Sequence, residues 1–314
     1  MQRNIAAPPM PIRQLVTYYA APTLLVIFLI ASSVRAYSTA TTVIVTENGI
    51  VIATDSEVGL EQGMGEGTIG HKVGTKVFVV NGHFAIASLG KQFFNFVHKT
   101  DDVSDFSFPY DFGAWIHQIE GGLPHEVSFD DFAHTVNIEV HKLIPELQTV
   151  VSNGGLRPRN PVDIFEPFIT YVIAGFQNGS PRLYVLKFYI DWETKIVLEP
   201  YLIPIELQPI AGHTRSYFLG ITEAATNFHN PQSYAYKQAM ATCPKAFQNI
   251  ISHRPISLDE SIALAKVFIK IEEQVNPNEV GGNIRVVRIL PDGRANDLID
   301  DLSKTPPEKH KKQH

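Results

Sequence analysis

The sequence predicts an α+β protein in which two antiparallel sheets pack face to face and helices cover their outer sides. Strand-like segments joined by tight turns predict hairpins, and segments with apolar residues at helical spacing stand between them. Because the hairpins lie on both sides of the helical segments, we expect one domain rather than two. The 314 residues, 44% hydrophobic and 18% charged, hold enough apolar material for such a core.

Turn and capping signals set the expected element boundaries. The predicted strand pairs are 41–45 with 50–54, 76–80 with 84–87, and 168–176 with 183–190, followed by a last strand at 284–290. A Gly-rich loop is expected at 59–70 and a turn at 87–90. Predicted helices span 91–99, 111–120, 129–151, 223–228, 234–241 and 258–275. Ser128 or Asp130 would cap the third helix, and Ser257 with Glu260 forms a capping box at the last.

The N-terminal segment has the pattern of an export signal. Residues 14–34 carry no charge, and Arg3 and Arg13 precede them. Ala36 and Ser38 are small residues at the positions that signal peptidase reads, which favours cleavage after Ser38. About 20 apolar residues are also long enough to span a bilayer, so retention as a membrane anchor is the alternative.

The leader and the charged C-terminal end define the expected domain organisation. Residues 1–38 would be a signal peptide or an N-terminal transmembrane helix, 39–302 the folded domain, and 303–314 a disordered tail. The domain would therefore be exported, to the periplasm or the extracellular space, or anchored to the membrane through residues 14–34.

Composition argues against several classes of partner. The net charge of -6 argues against nucleic acid, which is bound by clustered Lys and Arg. Cys243 is the single cysteine, so no internal disulfide forms. The chain has no CxxC or HExxH motif, and we expect neither a metal nor a cofactor.

Cleavage after Ser38 would free the amine of Thr39, at the head of a strand-like run. An α-amine has a pKa of about 8, so it can accept the hydroxyl proton directly or through a water. A threonine with a free amine is therefore a nucleophile that carries its own base. The plain alternatives are a strand threonine for Thr39, a turn cap for Asp55 and a solvated edge charge for Lys76.

These residues resemble the proteasome β-subunit type of N-terminal nucleophile hydrolase over nearly all of the chain after residue 38. The matching blocks are 39–56, 76–80, 173–184, 257–262, Gly281-Gly282 and 291–293. The resemblance implies a four-layer αββα sandwich. It implies that Thr39 is the nucleophile, that Lys76 supplies the charge favouring its alkoxide, and that Asp55 holds Lys76. It also implies an oxyanion donor in the backbone of 87–90, with Ser88 as the candidate.

The implied activity is that of a threonine-type endopeptidase acting on peptide or protein substrates, with self-association into a homo-oligomer. Ile221 and Val280 stand where the family commonly has polar residues that orient the nucleophile. These departures leave open a catalytically weak or inactive scaffold or assembly subunit. A further alternative is an amidase for a small molecule or a cell-wall peptide, because the fold specifies the attacking group and not the substrate.

Overall fold

Two antiparallel sheets form the centre of the computed structural model, which describes residues 39–61, 68–90, 93–94, 110–152, 167–205, 214–220, 223–277 and 280–299. The strands are β1 (Ala40–Thr46), β2 (Gly49–Thr54), β3 (Glu57–Glu61), β4 (Thr68–Val73), β5 (Val77–Val80), β6 (Phe84–Gly90), β7 (Phe93–Phe94), β8 (Tyr110–Asp111), β9 (Pro167–Gln177), β10 (Ser180–Asp191), β11 (Ile196–Val197), β12 (Tyr201–Ile205), β13 (Arg215–Gly220), β14 (Arg285–Ile289) and β15 (Ala295–Ile299). The helices are α1 (Phe112–Gly122), α2 (Phe129–Ser152), α3 (Glu223–Thr226), α4 (Tyr234–Thr242), α5 (Pro244–Ile251) and α6 (Leu258–Val275), with a short 3-10 helix at Asn227–His229.

Within the described residues, the first sheet has the strand order β13-β1-β2-β14-β15 and the second has the order β11-β10-β9-β6-β5. Strand β12 also pairs with β10, and β3–β4 and β7–β8 form separate two-stranded pairs. One apolar core includes the facing sides of both sheets and the inner sides of α4 to α6, whereas a second core lies between the other face of the second sheet and α1 with α2. The α+β class and the layering of helices outside two antiparallel sheets are therefore confirmed.

The two central strands of the first sheet are apolar without alternation because both of their faces are covered. Every residue of β1 and β2 is buried, and helix α6 contacts both strands. The turn between them, Glu47-Asn48, is exposed as the sequence predicted. This buried hairpin places the end of β2 beside the start of β1, since Thr41 pairs with Thr54.

The local signals in the sequence predicted the three hairpins and most helices. Helix α6 matches its predicted bounds, and its capping box between Ser257 and Glu260 is formed. Ser128 caps α2, because its hydroxyl accepts a hydrogen bond from the Asp131 N–H at 3.1 Å. These predictions are confirmed, and each depended on a turn or cap contained within a few residues.

Other boundary predictions were wrong. The predicted loop at 59–70 includes parts of β3 and β4, although 62–67 lie outside the described residues. The predicted turn at 87–90 is the continuation of β6, whose pairing with β9 extends to Gly90. Of the predicted helix at 91–99, only Phe93–Phe94 is described, and it is a strand. Strand pairing with distant residues overrides the local pattern in these segments.

The prediction of a transmembrane helix is corrected for the part of the chain that the structure describes, where no helix is long and apolar enough to cross a membrane. Residues 14–34, on which that prediction fell, lie outside the described residues, as do all of 1–38 and 303–314. The two predicted boundaries, 38/39 and 302/303, therefore stay predictions.

The outer part of the second sheet exposes apolar side chains. Tyr201 is 61% exposed and Ile203 is 41% exposed on β12, which pairs with β10. The same strand contains Pro204, paired with Tyr184, and proline has no N–H to donate.

We predict that Gly175→Ala lowers the free energy of unfolding by about 1–3 kcal/mol, the usual cost of overpacking a core. A Cβ atom at Gly175 would lie 2.5 Å from the Phe129 ring and 2.9 Å from the Phe84 ring, both of which are buried. The matched control is Gly121→Ala on helix α1, where no heavy atom lies within 4 Å of the added Cβ and stability should be kept or slightly raised. Urea unfolding of both variants measures the difference, and equal stabilities would contradict this account of the core.

Candidate active site

Thr39 lies immediately before β1, and only 1% of its surface is exposed. The last residue of β13, Gly220, pairs with Ala40 and has a φ of +84°. A Cβ atom at Gly220 would lie 2.0 Å from the Thr39 carbonyl oxygen. Only glycine tolerates both this conformation and this approach, so the backbone of Thr39 is held closely against the end of β13.

Asp55 follows β2 and points its carboxylate at the start of β1. The Ala40 N–H donates to Asp55 Oδ1 at 2.9 Å, and the Gly281 N–H donates to Asp55 Oδ2 at 3.4 Å. The backbone N–H of Asp55 also donates to the Ala40 carbonyl at 3.3 Å. The carboxylate is thus held one residue from Thr39 by backbone groups of two distant segments.

Lys76 immediately precedes β5 and crosses from the second sheet to this carboxylate. Its Nζ donates to Asp55 Oδ2 at 2.8 Å, and both side chains are 1% exposed. Removing two charges from water is costly, so a buried pair of this kind is retained only with close geometry and further hydrogen bonds. The N–H groups of Ala40 and Gly281, which donate to the Asp55 carboxylate, supply these further hydrogen bonds.

Burial raises the pKa of Asp55 above its ordinary value of 3.8, although the Lys76 ammonium and the N–H groups of Ala40 and Gly281 oppose this rise. A raised pKa means that the folded protein binds this proton more tightly than the unfolded chain does. The stability gained by binding this proton is therefore full below the ordinary pKa, and it is lost as the pH rises through the raised pKa.

A loop after α6 completes the surroundings of Asp55. The Ser56 N–H donates to the Gly281 carbonyl at 3.2 Å, and the Asn283 N–H donates to Ser56 Oγ at 2.8 Å. Sequence reasoning assigned no site role to Ser56 and treated the Gly281-Gly282 pair only as part of a family motif. The available signal was the glycine pair itself, since Gly282 has a φ of +76° and permits this sharp bend.

The remaining predicted residues are placed as follows. Ser88 is buried in β6, and its N–H donates to the Lys76 carbonyl at 2.8 Å, so this group supports the lysine. The role of Ser88 as an oxyanion donor stays a prediction. Val280 is fully buried, and its side chain is apolar. Its backbone N–H donates to the Asn276 carbonyl at 3.0 Å. Ile221 lies outside the described residues.

A buried carboxylate that the sequence reasoning missed connects the two segments around this site. Glu272 on α6 is 1% exposed, and its Oε1 accepts from the Ala225 N–H of α3 at 2.6 Å. Its Oε2 accepts from Asn276 Nδ2 at 3.1 Å. Glu272 therefore links the helix that follows Gly220 to the loop that leads to Gly281.

This arrangement can support chemistry at a hydroxyl near the start of β1. Among the residues that the structure describes, no group of three or more His, Cys, Asp or Glu side chains could hold a metal ion. Lys76 supplies a buried ammonium to the site, and Asp55 holds it beside the start of β1. A positive charge in a dry site stabilises a developing alkoxide more strongly than the same charge in water.

The chain is similar to the solved structure of an Anbu (Gly-1) mutant from Hyphomicrobium sp. strain MC1, at 12% identity over 84% of this chain and 88% of that chain, with a TM-score of 0.45. It is also similar to the solved structure of a helical assembly of the Anbu complex from Pseudomonas aeruginosa. The identity is 12% over 83% of this chain and 87% of that chain, and the TM-score is 0.44. No family model and no curated protein matches the chain.

These findings correct the assignment to the proteasome β-subunit family. That assignment was wrong, because no family model matches the chain. The helical assembly is a property of the Pseudomonas aeruginosa protein. Self-association of the present chain stays a prediction.

We predict that Lys76→Met and Asp55→Asn each lower the free energy of unfolding by about 3–5 kcal/mol, because each removes one partner of a buried pair. The double variant Asp55→Asn/Lys76→Met should lose less than the sum of the two, since it leaves no unpaired buried charge. Urea unfolding of the four proteins measures this coupling. The control is Arg294→Gln, which removes an exposed ion pair to Asp292 and should change stability little. Additive losses would show that the two charges do not depend on each other.

Proposed function

We propose that this chain is an amide hydrolase whose nucleophile is the Thr39 hydroxyl, freed for reaction by cleavage between Ser38 and Thr39. The observation that carries the proposal is the buried ion pair of Lys76 and Asp55, whose carboxylate also accepts the N–H of Ala40, the residue after Thr39. A fully buried charge pair is costly to keep for stability alone. Its position beside a threonine at a potential cleavage point gives it a chemical use.

Each group has a defined role in the proposed reaction. The Thr39 hydroxyl oxygen adds to the amide carbonyl carbon while its proton passes to the Thr39 α-amine. Lys76 stabilises the negative charge on the attacking oxygen, and Asp55 keeps the ammonium in place. The C–N bond then breaks, and the leaving nitrogen takes the proton from the α-amine.

The second half of the reaction regenerates the enzyme. The first half leaves an ester between the acyl group and Thr39. A water molecule attacks this ester and gives a proton to the α-amine, which returns it to the departing Thr39 oxygen. The products are an amine and a carboxylic acid, so the net reaction is hydrolysis of one amide bond.

The substrate and the location of the protein belong to the same proposal. We infer that the substrate is a peptide or protein, because attack by Thr39 requires a carboxamide and peptide bonds are the most abundant carboxamides in the cell. A small-molecule amide or a cell-wall peptide uses the same chemistry. The leader pattern in residues 1–38 supports export as the route by which cleavage after Ser38 occurs.

A non-catalytic scaffold is the second candidate, and Val280 is the observation that favours it. This fully buried side chain is apolar and offers no hydrogen bond to orient the amine of Thr39. In a scaffold, the buried ion pair would have a structural role and no chemical one. The two candidates differ in whether Thr39 reacts.

We predict that the purified mature protein begins at Thr39 and that a threonine-reactive epoxyketone modifies Thr39. Intact mass and N-terminal sequencing identify the first residue, and peptide mapping locates the adduct. Thr39→Ala should abolish both the adduct and amide hydrolysis, whereas Thr194→Ala in an exposed turn should change neither. A chain that begins at Thr39 and gives no adduct would support the scaffold, and an active chain that begins at Met1 would refute the proposed nucleophile.

The pH profile of kcat/KM should show two protonations on its acidic side. The α-amine must be neutral to accept a proton, so log(kcat/KM) should fall with unit slope below its pKa of about 8. Below the raised pKa of Asp55 the slope should increase to two, because protonation of Asp55 removes the partner of Lys76. In Asp55→Asn the slope should stay at one. A wild-type profile without the second increase above pH 3.8 would contradict this assignment.

A further inference from the structure

Arg285 lies at the junction between the two residues of the catalytic ion pair. It is the first residue of β14 and pairs directly with Thr54 of β2, the residue before Asp55. The Arg285 side chain reaches Thr75, which lies two residues before the first residue of β5 in the second sheet.

The guanidinium of Arg285 joins the two sheets. Its Nη1 donates to the hydroxyl of Thr75, the residue before Lys76. Its Nε donates to Asp297 Oδ2 at 2.8 Å, and its Nη2 also donates to that oxygen. Asp297 lies on β15 and pairs with Val287, so the carboxylate holds the guanidinium from within the first sheet. The planar group therefore has one end fixed by Asp297 and the other directed at Thr75.

The position of this link along the chain is informative. Arg285 contacts Thr54 through strand pairing and Thr75 through its side chain, and these are the residues that precede Asp55 and Lys76. Arg285 therefore contacts the residue next to each member of the ion pair, Thr54 beside Asp55 and Thr75 beside Lys76. The lysine side chain is long and flexible, so the placement of its ammonium depends on how firmly its backbone is held.

A second attachment holds the same hairpin farther along. The Ala295 N–H donates to the Gly82 carbonyl at 2.7 Å, and His83 Nδ1 lies 3.1 Å from the Gly293 carbonyl. The β14–β15 hairpin is thus fixed to the turn of the β5–β6 hairpin at one end. Arg285 supplies the attachment at the other end, which is the end where Lys76 lies.

We propose that Arg285 is a positioning residue that holds Lys76 on Asp55 through the Thr75 hydroxyl. This inference rests on the proposed function of Thr39, Asp55 and Lys76. Arg285 acts through Thr75 and does not touch the reacting atoms. Loss of the link allows the segment that carries Lys76 to move away from Asp55, which weakens the charge that acts on the Thr39 oxygen.

The most specific test is Thr75→Val, which keeps the branched shape of the side chain and removes only the hydroxyl that accepts from Arg285. We expect kcat to fall about tenfold with KM nearly unchanged, the size expected for loss of a hydrogen bond to a charged group. Arg285→Gln should give the same loss. The double variant should be no worse than either single variant, because both changes break one contact. Arg294→Gln, on the same hairpin and paired to exposed Asp292, should keep wild-type kinetics.

The pH profile separates positioning from a general loss of packing. The groups that face the Asp55 carboxylate are the Lys76 ammonium and the N–H groups of Ala40 and Gly281. If the ammonium moves away, the pKa of Asp55 rises further, and the second break in the acidic limb moves to higher pH in Thr75→Val. A merely structural change would lower the unfolding midpoint without moving this break. Wild-type kcat and an unmoved break in Thr75→Val would overturn the inference while leaving the role of Thr39 intact.

A measurement without turnover keeps the inference testable on its own. The Asp55 carboxyl carbon can be titrated by NMR in ¹³C-aspartate-labelled protein, with Asp55→Asn used to assign its signal. The apparent pKa of Asp55 should be higher in Thr75→Val and in Arg285→Gln than in the wild type and in Arg294→Gln. Equal values in all four proteins would overturn the inference even if no hydrolysis were detected. A higher value in an inactive protein would support the Arg285 link and refute the proposed function.

Discussion

The contact between Lys76 and Asp55 is the constraint on which the arrangement of the site depends. One charge comes from the segment before β5 in the second sheet, and the other follows β2 in the first sheet. Two buried charges must meet at close range or the folded state loses several kcal/mol. The ion pair therefore fixes how the two sheets pack against each other at this edge. The backbone N–H groups of Ala40 and Gly281 complete the hydrogen bonds of the carboxylate.

The sequence predicted the parts of the fold that local chemistry determines. The tight turns between paired strands and the Ser257 capping box are each contained within a few residues, and they correctly placed the hairpins and α6. Strand β13 was missed because it pairs with β1, which lies about 170–180 positions away in the chain, so no local turn joins the two strands. Helix α5 was missed because no side chain caps its start, although Pro244 at its first position is itself a signal for a helix start.

The candidate site was predictable to a similar extent. A family pattern singled out Thr39, Asp55 and Lys76, and the structure brings the last two together next to the residue that follows Thr39. The groups that the sequence did not indicate act through the backbone or through distant packing. The Gly281 N–H, the bend at Gly282 and the close approach of Gly220 carry no side chain that a motif could display. Glu272 was missed because a glutamate on an amphipathic helix ordinarily faces solvent.

Because Pro204 has no backbone N–H, strand β12 combines exposed apolar side chains with an incomplete set of backbone donors. A neighbouring molecule that approached β12 would find the aromatic and aliphatic side chains of Tyr201 and Ile203, but an interrupted row of backbone donors. Continuous extension of the sheet from one molecule to the next is therefore disfavoured at this edge. Contact at this edge would rest on exposed apolar side chains and not on the continuous backbone hydrogen bonds from which fibrils grow.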